Sequence, residues 1–139
     1  MAVDDDVISE RIRRGFAYFN DRDWDALERG FPAEFELIDR VPPDIRVAHG
    51  PRAMREATEA NGDLAFAGLV MEALEIEVVR PAAGGIRAAV KVAARASGGS
   101  SKVPVEDEIA QIWTFDETGI PLRLEQFRNW DDAREAAGA

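Results

Sequence analysis

The chain has 139 residues, 46% of them hydrophobic, which is enough for one self-supporting core and excludes disorder as its overall state. Its 17 basic against 27 acidic residues give a net charge of −10, so nucleic acid and anionic membrane surfaces are poor partners. With no cysteine and one histidine, disulfides, thiol chemistry, thiolate metal sites and multi-histidine metal sites are excluded, and no metal or other cofactor is expected.

The start, Met1-Ala2-Val3-Asp4-Asp5-Asp6, is acidic where a signal peptide is basic, and no apolar run approaches membrane-spanning length. A soluble cytoplasmic protein is expected, forming a single domain over residues 1–139. Ile8, Ile12, Gly15, Phe16 and Phe19 recur at helical spacing behind an Asp-rich cap and predict an amphipathic first helix. Asp23 is placed to cap a short second helix, Trp24 to Arg29. Ala33 to Asp39 alternates as a strand, which Arg40-Val41-Pro42-Pro43-Asp44 breaks.

Gly50-Pro51 opens a predicted third helix that Asn61-Gly62 closes, and a loop from Asp63 to Leu69 leads into the next strand. From Met71 the period becomes two, with Leu74, Ile76 and Val78 on one face. Pro81 to Gly85 turns the chain into a strand from Ile86 to Ala96, and Ser97-Gly98-Gly99-Ser100-Ser101 forms a hairpin loop. A long strand to Phe115, a turn at Asp116-Glu117-Thr118-Gly119 and a last strand from Ile120 to Trp130 follow. Asp131 is placed to cap a terminal helix, Asp132 to Ala137. Helices first and hairpin-linked strands after predict an α+β fold with helices packed on an antiparallel sheet.

Three of these strands put polar groups on a greasy face. The long strand reads Val105, Asp107, Ile109, Gln111, Trp113, Phe115 on one side, the first reads Phe35, Leu37, Asp39, and the last reads Ile120, Leu122, Leu124, Gln126, Arg128. Burying such groups unpaired costs roughly 1–3 kcal/mol each, so a packed core does not favour them. A strand that lines a pocket has a use for them.

The chain resembles the NTF2-like superfamily, in particular its SnoaL-like and ketosteroid-isomerase-like branch. The resemblance rests on Asn20-Asp21-Arg22-Asp23-Trp24-Asp25-Ala26-Leu27 between the first helices and Phe35 to Asp39 as the first strand. It continues through His49-Gly50-Pro51-Arg52-Ala53-Met54-Arg55-Glu56, the last hairpin Ile112 to Ile120, and Arg123-Leu124-Glu125-Gln126-Phe127. It implies helices on a strongly curved sheet that forms a cone-shaped cavity, a cystatin-like α+β barrel. The family includes polyketide-cyclase-like enzymes, isomerases, dehydratases, epoxide hydrolases and non-enzymes, so the fold alone does not choose among them.

On that resemblance Asp39 falls where the isomerases carry their general base, and a carboxylate at an apolar mouth is a stronger base than one in water. A turn-initiating aspartate before Pro42-Pro43 is the competing reading. Gln111 falls where the isomerases place a donor to the developing oxyanion, a role its amide fills more weakly. The family's tyrosine on the first helix is missing, its position being Gly15, and Tyr18 lies about 80° from the apolar stripe. This departure counts against steroid isomerisation itself.

Substrate-binding candidates are Tyr18, Asp107, Trp113, Gln126, Arg128 and His49. Asp107, between Glu106 and Glu108, also reads as an acidic strand start in solvent. Arg128 either pairs with Asp39 or Asp107, holds an anionic substrate, or meets only water past the strand end. His49 precedes a helix start and serves either local geometry or the pocket. The function expected is a cofactor-independent enzyme moving a proton on a small hydrophobic carbonyl compound, as an isomerase, cyclase or dehydratase does. The alternative is a non-catalytic small-molecule binding or dimerisation domain of the same fold. Ile112, Phe127 and Val79 point away from the pocket face by alternation, which suggests a homodimer through that outer face.

Overall fold

The computed structural model describes residues 3–40, 46–50, 52, 55, 56, 70–98 and 103–138. Asp4 caps helix α1, Asp5–Asn20, by accepting the Val7 N–H at 3.1 Å. Ile8, Ile12, Phe16 and Phe19 form its buried stripe, as their spacing predicts. Asp23 caps α2, Trp24–Gly30, through the Ala26 N–H. Strands β1 (Glu36–Asp39), β2 (Arg46–His49), β3 (Val70–Val79), β4 (Ile86–Gly98), β5 (Val103–Phe115) and β6 (Pro121–Phe127) follow, and α3 (Trp130–Gly138) ends the described chain. The α+β class is as expected, with a six-stranded sheet that is open and curled.

The sheet order is β2-β1-β6-β5-β4-β3. It is mixed rather than antiparallel, because β1 and β6 run parallel, Leu37 opposite Leu124 and Asp39 opposite Gln126. Most of the chain separates these two strands, so no hairpin sets their relative direction. Strand β2 is a second departure. The prolines that break β1 do not end the sheet, since Arg46–His49 returns antiparallel to it, Asp39 opposite Arg46. The predicted third helix lies mostly outside the described residues, although Arg52, Arg55 and Glu56 are helical. The predicted loop from Asp63 to Leu69 lies wholly outside them, and so do the last residues of the hairpin loop at Ser97 to Ser101.

Helix α1 is fastened along β3, one of the two edge strands of the sheet among the described residues. Asn20 accepts the Met71 N–H at 2.8 Å and donates to the Met71 carbonyl at 2.9 Å, so one side chain imitates a neighbouring strand. Arg13 donates to the Ala73 carbonyl at 3.0 Å. These contacts occupy backbone groups that an edge strand otherwise leaves open to pairing with another chain.

The core has two parts. On the inner face, the α1 stripe packs with Leu27 and Phe31 of the α2 region against Phe35, Val90, Trp113 and Phe115. On the outer face, Ala133 and Ala137 of α3 cover Ala89, Ala110 and Ile112, with Phe127 and Trp130 at the margin. Ile112 and Phe127 therefore face outward as alternation predicts, but the chain's own last helix covers them. Of the three residues on which the homodimer was expected, Ile112 and Phe127 thus pack against this helix, while Val79 lies on β3 outside that cluster. That helix is capped by Asn129, whose side chain accepts the Asp132 N–H at 2.9 Å, and not by Asp131 as expected. The last strand stops at Phe127 and not at Trp130, because the chain bends at Arg128-Asn129 to start α3.

Candidate functional site

Pairing register decides which polar side chains share a row. Gln111 on β5 lies opposite Gln126 on β6, and Gln126 lies opposite Asp39 on β1. On the other side of β5, Gln111 faces the fully buried Val90 of the inner core. Residues in register across a sheet project from the same face, so Asp39, Gln126 and Gln111 form one polar row on the inner face. Strands are spaced about 4.8 Å apart, which puts the backbones of Asp39 and Gln111 about 10 Å from each other. The adjacent row, Leu37, Leu124, Trp113 and Ala88, is entirely apolar. The polar row is thus bordered by grease, the arrangement the three strand patterns predict.

Gln111 is only 2% exposed, and its amide orientation is settled by its neighbour. The Trp113 indole N–H donates to Gln111 Oε1 at 3.0 Å. An indole nitrogen is a donor only, so the amide oxygen must face it and Nε2 must point the other way. Nε2 has no acceptor among the described residues, which leaves two N–H donors for something else. Asp39 and Gln126 are half-buried beside it on their strands.

A cavity of about 380 Å³ opens between α1, α2 and the β5–β6 hairpin. Tyr18, Gly15, Leu27, Phe31 and Trp113 contribute to its wall, and Ile120 and Pro121 close the hairpin side. Trp113 belongs to both places: it walls the cavity and bonds Gln111. The cavity as described does not extend to Asp39, Gln111 or Gln126. Gly15 explains how the indole fits, because a Cβ there would lie 3.2 Å from Trp113 Cη2. The position at which the resemblance lacks its tyrosine is therefore taken up by a tryptophan from the sheet. Phe16 meets the same indole edge-on with centroids 5.9 Å apart, and Phe31 lies at 6.0 Å.

Three expected site residues are placed elsewhere. His49 lies on β2 opposite Glu36, its side chain 66% exposed and its Nε2 3.8 Å from the Glu36 carboxylate on the outer face. Arg128 lies past the end of β6, exposed and without a partner among the described residues, so it pairs with neither Asp39 nor Asp107. Asp107 is exposed, and its carboxylate accepts the N–H of Glu108 at 2.8 Å. The structure brings together Asp39, Gln126 and Gln111 in one row, and Tyr18 and Trp113 in the cavity wall.

The cavity also contains residues that the sequence reading passed over, namely Arg11, Arg14 and Arg29. A signal was present on α1: Arg11, Arg14, Gly15 and Tyr18 follow a three-to-four spacing of their own, one flank away from the apolar stripe.

No family model matches the chain, and no curated protein matches it. Its fold matches solved structures along nearly the whole length. SalBIII, an epoxide hydrolase/cyclase-like enzyme associated with pyran ring formation in the polyether salinomycin, is 20% identical with a TM-score of 0.69, over 93% of this chain and 95% of that one. An NTF2-like protein of unknown function from Burkholderia pseudomallei is 14% identical with a TM-score of 0.67, over 95% and 98%. A putative polyketide cyclase from Xanthomonas campestris is 13% identical with a TM-score of 0.58, over 90% and 92%. At these identities the likeness is one of architecture alone: the chain has the fold of an NTF2-like protein.

Proposed function

We propose that this chain is a cyclase-type enzyme that needs no cofactor and acts by proton transfer on a small hydrophobic carbonyl compound. The observation that carries this reading is the row Asp39, Gln126, Gln111, in register on the inner face, with the Gln111 donors turned away from Trp113. Asp39 takes a proton from the carbon beside the carbonyl, and the electron pair moves onto the oxygen. Gln111 donates to that oxygen as charge develops there, which lowers the barrier more than it stabilises the neutral ketone. The carbanion carbon then attacks an internal electrophile, expels a leaving group or is reprotonated elsewhere. These outcomes correspond to cyclisation, elimination and isomerisation. The similarity in fold to an epoxide hydrolase/cyclase-like enzyme and a putative polyketide cyclase supports the first, by analogy of fold.

The first half-reaction is testable without the natural substrate. A base that reaches an α-proton exchanges it for deuterium in heavy water, and NMR follows this on an aromatic ketone such as 1-tetralone. Wild-type protein is expected to catalyse the exchange, and Asp39→Asn to slow it by at least about 100-fold, the usual contribution of a positioned base. Unchanged exchange in Asp39→Asn, with an unchanged melting temperature, would remove Asp39 from the mechanism.

A further inference from the structure

The geometry points to a second binding function: the cavity between α1, α2 and the β5–β6 hairpin is a site for a planar aromatic carboxylate. Its volume of about 380 Å³ is at the small end of the usual range for ligand pockets, about 300–1,000 Å³, and suits one small bicyclic molecule. Part of its wall is apolar, with Leu27 and the Trp113 and Phe31 rings, which are tilted 37° to each other with centroids 6.0 Å apart, available to pack against an aromatic ligand. The residues with polar or charged side chains on the wall are Tyr18, Arg11, Arg14 and Arg29, and no acidic residue lines it among the described residues. That sign is unexpected in a chain with 27 acidic against 17 basic residues and a net charge of −10.

The three arginines are not equivalent. Arg11 is committed to the hairpin, donating to the Gly119 carbonyl at 2.6 Å and the Thr118 carbonyl at 3.3 Å. Arg14 is paired with Glu10 one turn away on the exposed surface of α1. Arg29, in the last turn of α2, has no partner among the described residues, and the Tyr18 hydroxyl has none either. A planar guanidinium and a phenolic hydroxyl on residues that line one cavity with an indole make a donor set that a carboxylate on an aromatic ring accepts, the guanidinium in bidentate fashion. Free phenols and neutral ketones lack the charge that Arg29 would answer. This site stands apart from the Asp39 row, with Trp113 common to both, and its occupancy does not depend on any turnover.

Calorimetric titration of the full chain with 2-naphthoate and with 2-naphthamide separates charge from shape. Naphthoate is expected to bind at least about 10-fold more tightly than the amide, and to weaken as salt is raised, as a charge-assisted contact at an exposed guanidinium does. Arg29→Gln, at an exposed position that the fold does not use, is expected to remove about 10-fold of the naphthoate affinity and to leave naphthamide unchanged. Tyr18→Phe is expected to weaken naphthoate more than naphthamide. Asp39→Asn is expected to change neither, so failure here and failure of the proton-transfer reading remain distinct results. Equal affinity for acid and amide, no binding of either, or full naphthoate affinity in Arg29→Gln would each overturn the assignment.

Discussion

Trp113 and Gln111, two residues apart on β5 and both buried, are joined by one hydrogen bond of 3.0 Å from indole N–H to amide oxygen. Alternation places both on the inner face, and the bond satisfies the indole while fixing the amide. Trp113→Phe keeps an aromatic ring but removes the only donor to Gln111 Oε1 among the described residues. An unsatisfied buried acceptor costs about 1–3 kcal/mol, and the smaller ring adds a packing loss. The variant is expected to melt several degrees below wild type. In the double variant Trp113→Phe with Gln111→Leu, part of that loss returns, because the orphaned amide is gone. Additive losses in the two single variants would show that the bond contributes nothing.

Arg40 and Glu125 form a second pairing, on the outer face, with Nε to Oε2 at 2.5 Å. The Glu125 side chain is 12% exposed and that of Arg40 35%, so the carboxylate depends on its partner more than the guanidinium does. Arg123 approaches the same carboxylate at 3.9 Å and is the weaker neighbour. Removing one partner of a fully buried pair costs about 3–5 kcal/mol; with Arg40 partly in water, Arg40→Ala is expected to cost about 1–3 kcal/mol by denaturant unfolding. Adding Glu125→Gln to it should recover stability, since the stranded charge is then neutral.

The Asp116 carboxylate organises the β5–β6 turn. It accepts the Ile120 N–H at 3.0 Å, the Thr118 hydroxyl at 2.7 Å and the Thr118 N–H at 2.9 Å. The bond from the Ile120 N–H, followed by that from the Thr118 side chain, holds its pKa below the usual 3.8. A depressed carboxylate pKa means that the unfolded chain binds the proton more readily. The stabilisation is therefore present above about pH 4 and is lost as pH falls through the folded value. Asp116→Ala should lower the melting temperature at pH 7 and narrow the gap to wild type steadily below pH 4. A gap that is constant from pH 7 to pH 2.5 would contradict the assignment.

The sequence shows faces well and neighbours poorly. Period-two alternation gave the inward sides of β1, β5 and β6, and hence Asp39, Gln111 and Gln126 as polar intruders, because that signal lies within each strand. Their alignment in one row was not legible, since it depends on the parallel pairing of β1 with β6. Which of its two readings applies to His49 was not legible, for a related reason. Its orientation follows from β2, a four-residue strand behind two prolines that carries almost no pattern of its own. Arg11, Arg14 and Arg29 were overlooked because charged residues on a helix flank look the same whether they face water or a cavity.

Gly15 is the position where these two regions can be pulled apart. A Cβ there would sit 3.2 Å from Trp113 Cη2, closer than ordinary contact, so the indole must give way by a few tenths of an ångström. The indole has little freedom: Gln111 holds its nitrogen, and Phe16 and Phe31 hold its faces and edge. For Gly15→Ala, a gain of about 1 kcal/mol in helix propensity opposes this squeeze, and the two are expected to cancel to within about 1 kcal/mol. Gly15→Val adds methyl groups and a β-branched side chain without further propensity gain, so overpacking dominates and costs about 1–3 kcal/mol. The indole N–H resonance of Trp113 reports which effect wins. In Gly15→Ala it should remain protected from exchange. In Gly15→Val it should shift and exchange faster as the bond to Gln111 breaks. If the valine variant instead keeps a protected indole and wild-type stability, then Trp113 has free space to retreat into, and the fixed orientation of the Gln111 amide loses its structural basis.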